Sequence, residues 1–351
     1  MSDGGDGFGE IMSRLIEARP RPIAARDAAG RPRTSFWWWQ PATATAVIES
    51  AQAVGLALLP PKRFHPFELD TSSLAILFRA AIDAAATHCV CGIGGSATND
   101  GGFGLAKALG WKFEDREGRE IVTWTGLGAL ARIVRPADEW WRRVSSPKSE
   151  ARPVDWVVAV DVTNPLLGPN GASRIYGPQK GLKPEDMALA EECLGKLAAG
   201  VEKDLGLRLV ESPGGGAAGG LGFGMQCFVG ARLISGFDLF ADQAKLRERI
   251  RTADIVVTGE GSIDSSTKMG KGVGGVARLC REEKVPCVGV AGVLGREYEQ
   301  GRGGEEFSFL ASIVPKLANR SDSKREPSAW LARVAADVAD RITNDPLRVV
   351  P

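Results

Sequence analysis

The sequence predicts an α/β protein. Three observations carry that expectation. Short strand-like runs recur, of the kind buried in parallel sheets: Thr87-His88-Cys89-Val90 as the end of one, then Trp156–Val160, Ile255–Thr258 and Cys287–Ala291. Most of these runs give way to a glycine-rich polar loop, the first being Cys91-Gly92-Ile93-Gly94-Gly95-Ser96-Ala97-Thr98-Asn99-Asp100-Gly101-Gly102. Helical spacing follows several of the loops, as at Phe103–Leu109 and Val276–Glu283. Strand, loop, helix is the unit that places ligand loops at the carboxyl edge of a sheet, where backbone N–H groups and a helix dipole meet an anion.

In chain order, Asp3-Gly4-Gly5-Asp6-Gly7 reads as a loop, acidic where a secretion leader would be basic and then apolar. Ile11–Ala18 reads as a short helix. The Trp37-Trp38-Trp39 run reads as a sheet edge packed on a partner domain, with an exposed aromatic patch as its alternative. Thr45–Val54 reads as a helix and Gly55–Leu59 as a turn into a strand, stopped by Pro60-Pro61. Leu74–Ala86 has helical spacing. Lys112–Val122 suits a hairpin around Glu114–Gly118. In Pro184–Val201, the residues Met187, Ala190, Leu194, Leu197 and Val201 form one stripe behind a first-turn proline. A final helix is expected over Ser328–Ile342.

The 351 residues suffice for two domains. A net charge of +1 gives no electrostatic case for nucleic acid or for an anionic membrane surface. No segment is long and unbroken enough to read as a membrane span; Ala217–Ile234 is interrupted by glycines and Arg232. Six cysteines without a C-x-x-C pair read as reduced core residues of a cytoplasmic protein. The His88-Cys89-Val90-Cys91 cluster lacks the second ligand pair that zinc would need.

Phosphoryl transfer needs donors for phosphate, carboxylates for Mg²⁺ and a proton acceptor for the attacking hydroxyl. Five segments offer such parts. Gly94, Gly95, Ser96, Thr98, Asn99 and Asp100 lie in the first loop. Asp161 and Asn164 leave the Trp156–Val160 strand, and Lys180 sits in Tyr176–Gly181. Gly214–Gly222, with Gly215 and Gly216, is a backbone-only loop. Glu260 and Asp264 follow Thr258, ahead of Lys268 and Gly270-Lys271-Gly272. There is no Walker A loop, and the two histidines make no nucleophile–base arrangement. Gly92-x-Gly94-x-x-Ala97 also has the spacing of a dinucleotide fingerprint, which would make the chain a nucleotide-binding oxidoreductase.

Taken together, Asp3–Gly7, Gly92–Gly102, Asp161–Gly168 with Gly171–Ser173 and Gly177–Gly181, Gly214–Gly222, and Gly259–Gly261 with Asp264 and Gly270-Lys271 resemble the bacterial glycerate kinase family in order and spacing, over nearly the whole chain. The resemblance implies ATP-dependent phosphorylation of D-glycerate to 2-phosphoglycerate with Mg²⁺. It also implies a Rossmann-like domain (1–14, 74–110 and 250–351) interrupted by a second α/β domain (15–73 and 111–249), with the active site in the cleft between them. On this resemblance Asp3, Gly94, Gly95, Ser96, Thr98, Asn99, Asn164, Gly215 and Gly216 bind substrate or phosphate. Asp100, Asp264, Lys180 and Lys271 are the catalytic set, and Asp161 and Glu260 the metal ligands. A homodimer is compatible with it.

The chain departs from the family's pattern in two places. Family members carry a strand and helix before the Asp-Gly-Gly loop, with an Asp-Ser-Phe-Lys-Gly turn, and this sequence opens at the loop. A strand missing there would leave its sheet neighbour unpaired and take a lysine and a serine from the cleft. The family's Tyr-Gly-Thr-Gly-Glu helix start is Ser72-Ser73-Leu74-Ala75-Ile76 here. The alternative reading is a member that binds ligand and turns over little.

Overall fold

The computed structural model describes residues 4–137, 154–265, 267, 272–299 and 306–344. The chain divides into two compact units, 2–239 and 240–351.

The larger unit is built on a six-stranded sheet. Its elements, in chain order, are α1 (Phe8–Leu15), β1 (Arg19–Arg26), β2 (Pro32–Gln40), β3 (Thr45–Glu49), α2 (Ala51–Val54), α3 (Ala75–Asp83), β4 (His88–Gly92), α4 (Phe103–Ala108), β5 (Lys112–Glu114), β6 (Arg132–Val134), β7 (Asp155–Val160), α5 (Ala172–Lys180), α6 (Met187–Leu205), α7 (Ala217–Val229) and β8 (Arg232–Ser235). The strand order is β1-β2-β3-β4-β7-β8. β1–β2 and β2–β3 pair antiparallel; β3, β4, β7 and β8 run parallel. The sequence-based boundaries grouped 74–110 with 250–351, whereas the hydrogen bonds of β4 run to β3 and β7.

The tryptophan run shows how the sheet is covered. Side chains alternate along a strand. Trp37 therefore joins the main core, while Trp38 turns to the other face and packs with Phe8, Met12 and Val47 beneath α1. The run is not an edge: β2 is paired on both sides, and the outer strand is Arg19–Arg26. That strand contains two prolines, which an edge tolerates because one side of it has no ladder to feed. In the main core Phe78 of α3 stacks on Trp156 of β7, with ring centroids 4.4 Å apart.

Thr45–Val54 is not one helix. Thr45–Glu49 is a strand, and only Ala51–Val54 is helical. Ala46, Val47 and Ile48 are wholly buried between β2 and β4, where β-branched side chains pack well. Gly55–Leu59 leads into a 3-10 turn, Leu56–Leu58, instead of a strand. In the expected hairpin after α4, β5 takes β6 as its partner strand, with a single bridge between Glu114 and Glu120.

The smaller unit holds β9 (Val256–Ile263), α8 (Gly272–Glu282), β10 (Cys287–Leu294), β11 (Phe309–Val314) and α9 (Pro327–Asn344). The three strands form a parallel sheet in the order β11-β10-β9. Val334 and Val338 of α9 close a core on Val288, Phe309 and Ile313. β9 lies at one edge of this sheet and Val257 is 55% exposed. All six cysteines are buried free thiols. Among the described residues no helix is long and apolar enough to cross a membrane.

Candidate active site

The loop after β4 is held from two sides. The Gly94 amide donates to the Gly4 carbonyl at 2.9 Å, and a Cβ on Gly94 would stand 2.6 Å from the Gly5 Cα. Glycine is needed there because two backbones meet. From the other side, the Leu56 amide donates to the Gly95 carbonyl and the Ala97 amide to the Val54 carbonyl, each at 2.8 Å. Within the loop the Thr98 amide donates to Ser96 Oγ at 3.1 Å. Asn99 Nδ2 donates to Ser173 Oγ at 2.9 Å. Several N–H groups expected to await an anion are thus used inside the protein.

The Gly4–Gly7 segment owes its position to Glu49, a residue the sequence reading passed over. Glu49 is 3% exposed and accepts from the Gly7 amide (3.1 Å) and the Gly9 amide (2.9 Å) at the N-terminus of α1. A carboxylate there meets both free donors and the helix dipole. Its signal was in the sequence: Val47-Ile48-Glu49 ends an apolar strand with a carboxylate, as Val160-Asp161 does. Glu49→Gln would turn an amide donor toward one of these N–H groups. The expected cost is about 1–2 kcal/mol, read as a lower urea midpoint with an unchanged m-value.

Asp100 is fully buried and does not line the cavity described below. Its Oδ2 accepts from the Thr71 amide (2.9 Å), Thr71 Oγ1 (2.8 Å) and the Gly104 amide (2.9 Å). Its Oδ1 accepts from the Gly102 amide at 3.2 Å. The carboxylate thereby starts α4 and ties it to Thr71. Burial, and then the charge of Asp70, push its pKa up against the pull of these donors.

Lys180 ends α5, 6% exposed. Its Nζ donates to the Thr98 carbonyl at 2.7 Å, which joins α5 to the loop after β4. Burial lowers its pKa from 10.5 to about 7, while the Asp100 charge pulls the other way. The glycine segment that opens α7, where the helix is interrupted, closes over this contact. Ala218, Gly219 and Gly220 are all left-handed, and a Cβ on Gly219 would collide with the Thr98 carbonyl and stand 2.9 Å from Lys180 Nζ. The Gly219 carbonyl in turn accepts from the Gly101 amide at 3.0 Å.

Asn164, Gly215 and Gly216 build the wall behind. Asn164 Oδ1 accepts from Tyr176 OH at 2.6 Å, and its carbonyl accepts from the Gly216 amide at 2.9 Å. The Gly215 amide donates to the Ser212 carbonyl at 2.9 Å. Burial raises the Tyr176 phenol above its ordinary pKa, so it remains a donor.

A cavity of about 1350 Å³ opens inside the larger unit. Of the expected site residues, Gly94, Gly95, Ser96, Asp161 and Lys180 line it, and Asp6 and Tyr176 join them. Thr98, Asn99, Asp100, Asn164, Gly215 and Gly216 stand behind that lining as its support. Glu260 and Asp264 belong to the smaller unit, where Thr267 Oγ1 donates to Glu260 Oε1 at 2.7 Å and accepts from the Asp264 amide at 3.2 Å. Asp3 and Lys271 lie outside the described residues.

Comparison with known proteins identifies the family of the chain. The model of the glycerate kinase family matches residues 1–343. The chain is 36% identical to the glycerate kinase of Bacillus subtilis over 97% of its length and 87% of that protein. It is 37% identical to the glycerate 2-kinase of Escherichia coli K12 over 84% of its length and 75% of that protein. The crystal structure of a protein assigned as glycerate kinase 2 from Salmonella typhimurium LT2 superposes with a TM-score of 0.77 at 32% identity, covering 97% of this chain and 88% of that one. These matches set aside the dinucleotide reading of Gly92–Ala97, and the chain belongs to the glycerate kinase family.

Proposed function

We propose that the protein transfers the γ-phosphoryl group of ATP to a hydroxyl of D-glycerate, giving 2-phosphoglycerate and ADP. The observation that supports it most is the buried Lys180 ammonium at the wall of a large cavity, beside a glycine loop that follows a parallel strand. In the transfer the hydroxyl oxygen bonds to γ-phosphorus as the bond to the β-phosphate oxygen breaks, and the hydroxyl proton goes to a carboxylate. Lys180 offsets the charge on the phosphoryl oxygens. Gly95 and Ser96 shape the adjoining wall, and Tyr176 and Asn164 hold α5 in register with it. From the family motif, Asp264 is the proposed proton acceptor, with Lys271 and Glu260 as the other residues that the motif assigns to charge and metal binding.

Mg²⁺ is proposed to accompany the nucleotide. Among the described residues no group of three or more His, Cys, Asp or Glu could hold a metal. Mg²⁺ is commonly held by one or two carboxylates together with nucleotide phosphates and water, and Asp6 and Asp161 on the cavity wall are a donor set of that kind. The ion, when bound, neutralises charge on the phosphates. The cytoplasm is the location proposed with this activity, in keeping with six reduced thiols.

The test is product analysis by ³¹P and ¹³C NMR after incubation with ATP, Mg²⁺ and D-glycerate. A phosphate ester on carbon 2 is expected. Formation of 3-phosphoglycerate alone would refute the regiochemistry, and no ester at all would refute the activity.

A further inference from the structure

One wall of the cavity is not used by any motif above. Residues Leu56–His65 run from the glycine loop to the connection between α5 and α6, and both ends are fixed. At the first end Gly55 bridges Ser96, and the Leu56 amide donates to the Gly95 carbonyl. At the second, His65 Nδ1 accepts from the Phe67 amide at 3.2 Å, so Nε2 carries the proton and donates to Asp186 Oδ2 at 3.0 Å. The Pro66 carbonyl accepts from Trp124 Nε1 at 3.3 Å. Between these anchors Arg31 Nη2 donates to the Leu58 carbonyl at 2.8 Å, and the Arg31 and Arg63 guanidinium groups stand 5.4 and 5.7 Å from the Phe64 ring centroid.

Some arginines of the molecule are paired with carboxylates, and the two cations of this strap face the cavity without such a pair among the described residues. Arg31 pairs with Asp27, and arginines 14, 119, 232, 247, 251, 278 and 325 all have carboxylate partners. Lys62 and Arg63 line the cavity, are exposed, and pair with no carboxylate among the described residues. Lys62 also holds a left-handed backbone (φ 58°), a conformation that costs a non-glycine residue free energy unless its surroundings impose it. Pro60 and Pro61 immediately before it restrict the chain further. The same strap carries no acidic side chain from Leu56 to His65.

We propose that Leu56–His65 is an anion-recognition strap, in which Lys62 and Arg63 receive a phosphate group of the ligand. This rests on the phosphoryl-transfer reading of the same cavity. The phosphate can come from the nucleotide or from the phosphorylated acid, and each source has its own arm in the test. Arg63 provides a planar fork suited to phosphate oxygens, and Lys62 adds a point charge beside it. Both are exposed, so the attraction weakens with salt.

The experiment compares wild-type protein with the double variant Lys62→Ala/Arg63→Ala by isothermal titration with ADP and, separately, with 2-phosphoglycerate. A Lys112→Ala/Arg116→Ala variant makes the same charge change on residues outside the cavity and serves as control. The expected result is a loss of about tenfold or more in affinity for one of the two ligands in the strap variant alone, shrinking as salt is raised. Loss with ADP assigns the strap to the nucleotide, and loss with 2-phosphoglycerate assigns it to the acid. Unchanged affinity for both, or an equal loss in the control, overturns the proposal. Because binding is measured without turnover, failure of the strap is distinguishable from failure of the kinase reading, which would appear as wild-type protein that forms no phosphate ester.

Discussion

Lys180→Met is expected to lower kcat/KM with D-glycerate by about 10²–10³ while the protein stays folded, a loss of the size seen when one oxyanion-stabilising donor is removed. Methionine fills most of the space of the lysine stem without its charge. Two stability effects oppose each other in this variant. The cost of burying an ammonium disappears, and so does the counter-charge that favours buried Asp100. The thermal midpoint is therefore expected to move little. The pH profile gives a second readout. With its pKa lowered by burial to about 7, the Lys180 cation is present below that pH and lost above it. If the cation offsets phosphoryl charge, wild-type kcat/KM falls as pH rises through about 7. A bound phosphate favours the ammonium, so the matching limb in kcat lies at higher pH. In Lys180→Met this limb is absent. A wild-type profile that instead rises through this range would make Lys180 a base.

Asp100→Asn is expected to act chiefly on stability. Four donors converge on the two oxygens of Asp100, and an asparagine would turn an NH₂ group toward N–H and O–H donors. The expected loss is about 3 kcal/mol, the scale for hydrogen bonds to a buried charged group, and it lowers Tm by several degrees. Turnover of the fraction that remains folded is expected to fall less than in Lys180→Met, because Asp100 reaches the cavity only through the loop it anchors. Differential scanning calorimetry with activity normalised to folded protein checks both halves. Normal stability with turnover lost by orders of magnitude would return Asp100 to direct contact with substrate.

These two residues also show what the sequence could and could not reveal. A carboxylate at the end of a Gly-Ser-Thr-Asn loop reads as reactive, because such loops are where α/β proteins bind ligands. Whether it faces the cavity or the core depends on Thr71 and Gly104, which lie 29 residues before it and 4 after it and whose approach no local pattern encodes. Lys180 is the converse: it reads equally well as a solvated turn residue, and its burial comes from Thr98 and Gly219, distant in sequence. Strands β4, β7 and β10 were legible because strands buried in the sheet are continuous apolar runs, and β9 was legible from the same pattern although Val257 at its sheet edge is exposed. Arg19–Arg26 is not legible, since its prolines and arginines suit only an edge, and the local pattern of Thr45–Val54 suits a helix, whereas pairing with β2 and β4 makes its first half a strand. The glycine loops were legible as loops, but their packing against one another, as at Gly94 on Gly5, is tertiary.

The central claim is that the cavity beside Lys180 is where phosphate is transferred to glycerate. Its most direct test is ADP release from ATP at saturating Mg²⁺, with and without D-glycerate, run in parallel on wild-type protein and Lys180→Met. The account predicts glycerate-dependent release by the wild type, falling by about two to three orders of magnitude in the variant. Equal glycerate-dependent release by both proteins would contradict it.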